Sequence, residues 1–138
     1  MAVLYGAEHV RRYQETNGAE GYEWRDGVRT LILTTTGRRS GQPRPKALIF
    51  GEDDGRYVVV ASKGGAPRHP QWYRNLLAHP DVEVQVKERR FRARARTAEG
   101  AERQRLWRLM TGIWPDYDAY QQRTRRQIPV VVLEPLEG

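Results

Sequence analysis

Hydrophobic and polar positions alternate along this chain in two periods, and the switches between them mark its elements. Residues 7–16 place Val10 and Tyr13 on one side of a short helix that Asn17-Gly18 stops. Glycine-punctuated residues 17–27 lead into a first strand at 30–36, and a loop at 37–42 precedes a second strand at 45–51. Glu52-Asp53-Asp54-Gly55 is a turn by composition. A third strand at 56–62 carries Val58, Val59 and Val60 in succession, and apolar residues at both parities predict cover on both faces. A helix at 70–78 ends before Pro80, as a proline dictates. Strict alternation returns in a hairpin: Val82, Val84 and Val86 on one strand, Phe91, Ala93 and Ala95 on the next, with a turn at 87–90. Setting Val86 opposite Phe91 pairs Gln85 with Arg92 and Glu83 with Arg94 on the outer side. Helical spacing then puts Leu106, Leu109, Met110 and Ile113 on one stripe of a helix at 98–113. Pro115 opens a further short helix at its first position, and 128–134 is a final strand. The order α-βββ-α-ββ-αα-β predicts an α+β, mainly β fold: a six-stranded antiparallel barrel with helices packed outside. No βαβαβ run asks for a doubly wound parallel sheet.

Composition narrows the function classes. The chain has 138 residues, a length that predicts one domain, with 38% hydrophobic and 30% charged residues. It has no cysteine, which excludes disulfides, thiol chemistry and cysteine-ligated metals. No apolar run reaches the roughly 18 residues of a membrane span, and the N-terminus lacks a signal-peptide pattern. A cytoplasmic location is therefore the expectation. The net charge is +7, and residues 87–126 alone hold 12 Lys+Arg against 5 Asp+Glu. That imbalance favours an anionic partner.

Three stretches carry candidate chemistry. Thr34 to Arg44 gathers four hydroxyls, three arginines and two glycines, without the spacing of a phosphate-binding P-loop. Arg38 and Arg39 could clamp a phosphate or carboxylates, and a solvated turn would use the same residues. Ser62-Lys63-Gly64-Gly65 follows a buried strand and leads to a helix start at Pro70, where backbone amides favour an anion. Ser62 has no activating base nearby in sequence, so it reads as a hydrogen-bonding group rather than a nucleophile. Tyr117 and Tyr120 share one face of a short helix and could border a pocket for a flat organic molecule. Arg92, Arg94 and Arg96 form an outer-face stripe without interleaved aromatics, which argues against a nucleic-acid platform. His9, His69 and His79 show no metal-ligand spacing, and no metal is expected.

These stretches, with Pro70-Gln71-Trp72-Tyr73-Arg74-Asn75-Leu76 and Ile128-Pro129-Val130-Val131, resemble the deazaflavin-dependent nitroreductase family of actinobacteria, whose members use coenzyme F-420. The resemblance runs over residues 28–136. It implies a split β-barrel related to flavin-nucleotide-binding oxidases, with residues 1–27 as an N-terminal helix and lead-in and residues 28–138 as the deazaflavin-binding domain. It assigns Arg38, Arg39 and Ser40 to the cofactor's phosphate and polyglutamate tail, and Lys46, Ala47 and Leu48 to a strand beside the cofactor. Ala61, Ser62, Lys63, Gly65 and Ala66 match the loop along the deazaflavin, and Pro70, Trp72, Tyr73 and Asn75 continue that wall. Ser62, Tyr117 and Tyr120 match groups on the substrate side. Ile49 and Trp114 stand where some members that reduce bulky quinones or nitroaromatics carry tyrosine.

The implied activity is hydride transfer from reduced F-420 to an electron-poor acceptor: a quinone, a nitroaromatic or an activated enone. FMN in the same barrel is the alternative cofactor, a non-catalytic F-420-binding protein the alternative role, and a basic nucleic-acid-binding barrel the last alternative. The implied partners are a small-molecule acceptor and no nucleic acid, with a homodimer and a peripheral contact at the inner face of the plasma membrane left open.

Overall fold

A computed structural model describes residues 4–136, so the outer ends of the 1–27 and 28–138 ranges lie outside the described residues. The chain forms helix α1 (Gly6–Thr16), then strands β1 (Glu23–Arg25), β2 (Val28–Thr36), β3 (Pro43–Ile49), β4 (Gly51–Asp53) and β5 (Arg56–Val60). Helix α2 (Gln71–Ala78), the hairpin β6 (Asp81–Val86) and β7 (Arg89–Thr97), helices α3 (Gly100–Ile113) and α4 (Asp116–Gln122), and β8 (Val130–Pro135) complete it. The α+β split-barrel expectation holds, with eight strands among the described residues rather than six. The two extra strands, β1 and β4, are three residues each, too short to leave a periodic signal. Asn17 adopts φ 50° at the end of α1, the left-handed stop that Asn-Gly predicts.

All strand pairs are antiparallel, in the order β1-β2-β6-β7-β8-β5-β4, with β3 on the other edge of β2. β3 pairs only with β2, and β5 only with β4 and β8. The barrel is therefore split between β3 and β5, and the functional cleft lies at that split.

The hairpin register differs from the expected one by two residues. Val84 faces Phe91, Glu83 faces Arg92 and Asp81 faces Arg94. The turn is only Lys87-Glu88, made possible by Lys87 at φ 56°, a shape usually signalled by Asn or Gly. Gln85 is also not on an open face. It is buried, and its Nε2 donates to the Lys87 carbonyl at 2.8 Å.

Three apolar clusters hold the molecule together. Leu31, Leu33, Val59, Val82, Val84, Val131 and Leu133 fill the barrel, capped by Trp72, Tyr73 and Leu76 of α2. Val58, Val60, Val130 and Val132 point outward beneath Leu106, Met110 and Tyr117 of α3 and α4. The successive valines of β5 are thus covered on both faces. Val10 and Tyr13 of α1 pack on Ile32, beside β3. The buried Tyr13 hydroxyl donates to the Thr30 carbonyl (3.0 Å) and accepts from the Lys87 amide (2.9 Å), tying α1 to β2 and to the β6–β7 turn. No helix among the described residues is long and apolar enough to cross a membrane.

Candidate active site

The split holds a cleft of about 860 Å³. Its two ends differ in chemistry. One end carries Arg38, Arg39, Arg44 and Lys46, Lys63 stands on the turn that meets α4, and no carboxylate lines the cleft among the described residues. The other end is built from Trp24, Ile49, Val60, Trp114, Tyr117 and Tyr120. Pro70, Gln71 and Trp72, at the N-terminal end of α2, also line the cleft.

The cationic end is held in place by Asn75. Its buried Oδ1 accepts from the Arg38 backbone N–H (3.2 Å) and from Arg38 Nη1 (2.9 Å), while Nδ2 donates to Thr35 Oγ1 (3.2 Å). One amide thereby fixes both the loop and its first arginine. Ser40 accepts from the Gln42 amide and from Arg44 Nη2, at 3.1 and 3.3 Å. Desolvation, then the neighbouring Arg74 and Arg39 cations, lower the Arg38 pKa. A bound anion relieves that repulsion.

Ser62 follows the last residues of β5 and opens a turn in which Lys63, Gly64 and Gly65 take φ of 46°, 62° and 84°. The Ser62 side chain caps no amide, and the residue lines the cleft. Gly65 is required where it stands, because a Cβ there would lie 2.5 Å from the Tyr120 carbonyl oxygen. Tyr117 and Tyr120 pack edge to face, 6.1 Å between centroids, and Tyr120 accepts from Trp114 Nε1 at 3.3 Å. Burial, then the nearby Tyr120, push the Tyr117 phenol well above its ordinary pKa, so it stays a protonated donor.

The cleft gathers most of the residues expected from sequence: Arg38, Arg39 and Ser40; Lys46, Ala47 and Leu48; Ser62 and Lys63; Pro70, Trp72 and Asn75; Tyr117 and Tyr120. Four lie behind it. Ala61 is fully buried in the barrel core, Tyr73 is buried with its hydroxyl 2.8 Å from Thr97 Oγ1, Gly65 packs on α4, and the Ala66 carbonyl accepts from Arg126. Sequence reading missed the wall formed by Leu4, Tyr5, His9 and Trp24. Trp24 lies 5.8 Å from Tyr5 and 5.5 Å from Trp114 between centroids, and Arg25 sits over its ring at 4.5 Å. An alternating aromatic in a three-residue strand offers no signal that could have found it.

The sequence model of the F420H(2)-dependent quinone reductase family matches residues 5–135. The chain belongs to that family. An F420H(2)-dependent quinone reductase of Mycobacterium tuberculosis is 42% identical over 128 residues, 91% of this chain and 86% of the relative. Among solved structures, an F420-H2 dependent reductase is 43% identical with a TM-score of 0.71, covering 76% of this chain and 93% of the other. A second, described as a domain-swapped dimer, is 39% identical with a TM-score of 0.73 over 92% of this chain and 95% of the other.

In this quinone reductase family member, His69 links pH to the wall of the cleft. Its Nδ1 accepts from Arg126 Nη1 at 3.0 Å, so the ring is neutral in the folded protein. Desolvation, then the Arg126 and Arg74 cations, lower its pKa below 6.5. A histidine depressed in the folded state stabilises it fully above the unfolded pKa and loses that contribution as pH falls through the folded one. The unfolding temperature is therefore expected to drop below pH 6.5 more steeply in the wild type than in His69→Gln, whose amide oxygen accepts the same bond without titrating. Parallel curves from calorimetry across that range would remove His69 from this role.

Proposed function

We propose that this protein transfers a hydride from reduced F-420 to a quinone, with nitroaromatic and activated enone acceptors as further substrates. The observation that carries the reading is the cleft itself: five cations and no carboxylate in its lining among the described residues, a group of tyrosines and tryptophans, and Ser62 on the turn that meets α4. Arg38, Arg39, Ser40 and Lys63 suit a multiply charged phosphate and carboxylate tail better than the single phosphate of FMN. Lys46, Ala47 and Leu48 on β3 and Pro70 and Trp72 on α2 bound the ring system, with Asn75 holding Arg38 in register. Ala61, Gly65, Ala66 and Tyr73 support this wall from behind, and the deazaflavin-binding domain assigned to residues 28–138 is completed at the cleft by Leu4, Tyr5, His9 and Trp24 of the lead-in.

When bound, reduced F-420 supplies the hydride, and with one proton the quinone leaves as hydroquinone. Ser62 and Tyr117 donate hydrogen bonds to the quinone oxygen where negative charge develops. Tyr120, whose oxygen accepts from Trp114, keeps its own proton to donate. Trp24 and Trp114 exclude water from the acceptor end.

Titrating the purified protein with F-420 and with FMN, followed by fluorescence quenching, tests the cofactor. Saturable binding of F-420 and much weaker binding of FMN are expected, then oxidation of reduced F-420 on adding menadione. Binding without oxidation would leave a carrier protein, and equal preference for FMN would reverse the cofactor assignment. The domain-swapped relative supports a homodimer, which sedimentation tests. The cytoplasmic expectation, with or without contact at the inner membrane face, is checked by fractionating cells.

A further inference from the structure

Arg126 takes no part in the site as described so far, yet it is the side chain most closely tied to the Ser62 turn. Its Nε donates to the Ala66 carbonyl at 2.8 Å, its Nη2 to the Ser62 carbonyl at 2.7 Å, and its Nη1 to the Ala61 carbonyl at 3.2 Å and to His69 Nδ1. One planar fork thus grips both ends of the turn and the residue before Pro70. It does so from the side away from the cleft, because Ala61 and Ala66 do not line the cleft while Ser62, Lys63 and Gly64 do.

The turn needs such a grip. Strand pairing on β5 ends at Val60, and beyond it three successive residues take positive φ. One of them, Lys63, carries a Cβ that makes this conformation costly. The opposite end of the Arg126 segment is tied to α4. Gln121 Nε2 donates to the Arg126 carbonyl at 2.8 Å, and Gln121 Oε1 accepts from the Ile128 amide at 2.9 Å. Arg123 adds a longer bond to the Gly64 carbonyl, at 3.4 Å, and lies over the Tyr120 ring at 5.4 Å. Arg126 therefore stands between the two groups of side chains that face an acceptor.

We infer that Arg126 is a positioning residue: it sets the backbone of the turn so that the Ser62 hydroxyl stands at the acceptor end of the cleft. This rests on the assignment of Ser62 above. A lysine keeps the charge but has a single compact ammonium, which cannot hold three carbonyls and an imidazole in one plane.

The test uses Arg126→Lys and Arg126→Gln, each in the wild type and in Ser62→Ala. Amide exchange of the ligand-free protein is expected to speed about tenfold at Gly65 and Ala66, whose N–H groups bond to the Ser62 and Lys63 carbonyls. With reduced F-420 saturating, kcat for menadione is expected to fall about ten- to a hundredfold in the wild-type background. In the Ser62→Ala background the same substitution is expected to cost less than about threefold. Equal losses in both backgrounds, unchanged exchange at Gly65 and Ala66, or a kcat that merely tracks the folded fraction would overturn the inference. An unchanged kcat in Ser62→Ala alone sinks the Ser62 assignment instead, and the exchange rates then decide whether Arg126 holds the turn.

Discussion

Gly65→Ala will abolish quinone reduction and lower the unfolding temperature far more than the same substitution at the preceding residue. Both glycines have positive φ, 62° at Gly64 and 84° at Gly65, so an alanine at either pays about 1–2 kcal/mol for the left-handed backbone. At Gly64 nothing lies within 4 Å of the added methyl. At Gly65 it would meet the Tyr120 carbonyl oxygen at 2.5 Å, the Tyr120 carbonyl carbon at 3.1 Å and Arg123 Cβ at 3.0 Å. Two of these atoms are backbone, so α4 itself has to move, adding about 1–3 kcal/mol of overpacking. That movement carries Tyr117 and Tyr120 away from the cleft. Denaturant unfolding of the two variants, together with kcat for each, separates backbone strain from overlap. If Gly64→Ala and Gly65→Ala lose the same stability and activity, the close approach of turn and helix is not important to the site.

Ser62→Ala is expected to slow acceptor reduction about a hundredfold while changing F-420 affinity less than about threefold. The hydroxyl caps no helix amide, so its removal leaves the turn intact. Ser62 lines the cleft, so on the proposed assignment the substitution removes a hydrogen-bond donor to the acceptor, and losing one such donor to a developing oxyanion costs about 10²–10³ in rate. Tyr117→Phe should show the same split. Burial raises the Tyr117 pKa, so it acts through its proton as a hydrogen-bond donor and contributes no basic limb to the pH–rate profile. Stopped-flow absorbance of reduced F-420 measures the rate, and quenching measures the affinity. An affinity loss as large as the rate loss would move Ser62 from the acceptor to the cofactor.

Most elements were readable because each carried one period over several residues. The alternation of Val82, Val84 and Val86 and the stripe of Leu106 and Met110 survive into the structure as buried faces. The register of the hairpin was not readable, since Lys87-Glu88 makes a two-residue turn without the usual Asn or Gly. The charge distribution misled for a different reason. Part of the basic surplus at 87–126 is paired on the barrel surface: Arg96 with Glu134 at 3.1 Å and with Glu102 at 2.6 Å, Arg105 with Asp53 at 2.7 Å, Arg94 with Asp81 at 3.8 Å. The cations that line the cleft come instead from 38–63, which holds 6 Lys+Arg against 3 Asp+Glu, a smaller surplus than that of 87–126. Arg126 was hidden because nothing local distinguishes it from Arg123 and Arg125, and its partners lie 57 to 65 positions away. Trp24 and Trp114 meet only through folding, from opposite ends of the chain.

The joint between the Ser62 turn and α4 divides the acceptor end into a part that resists change and a part that tolerates it. Substitutions on the α4 side press through Tyr120 and Arg123 onto Gly64 and Gly65, so a new acceptor gained there disturbs the cofactor wall as well. Tyr5 and Trp24 reach the same space from the start of α1 and from β1, and share no hydrogen bond with residues 61–66 among those described. Substitutions at Tyr5 and Trp24 can therefore reshape the acceptor end without passing strain to the Ser62 turn.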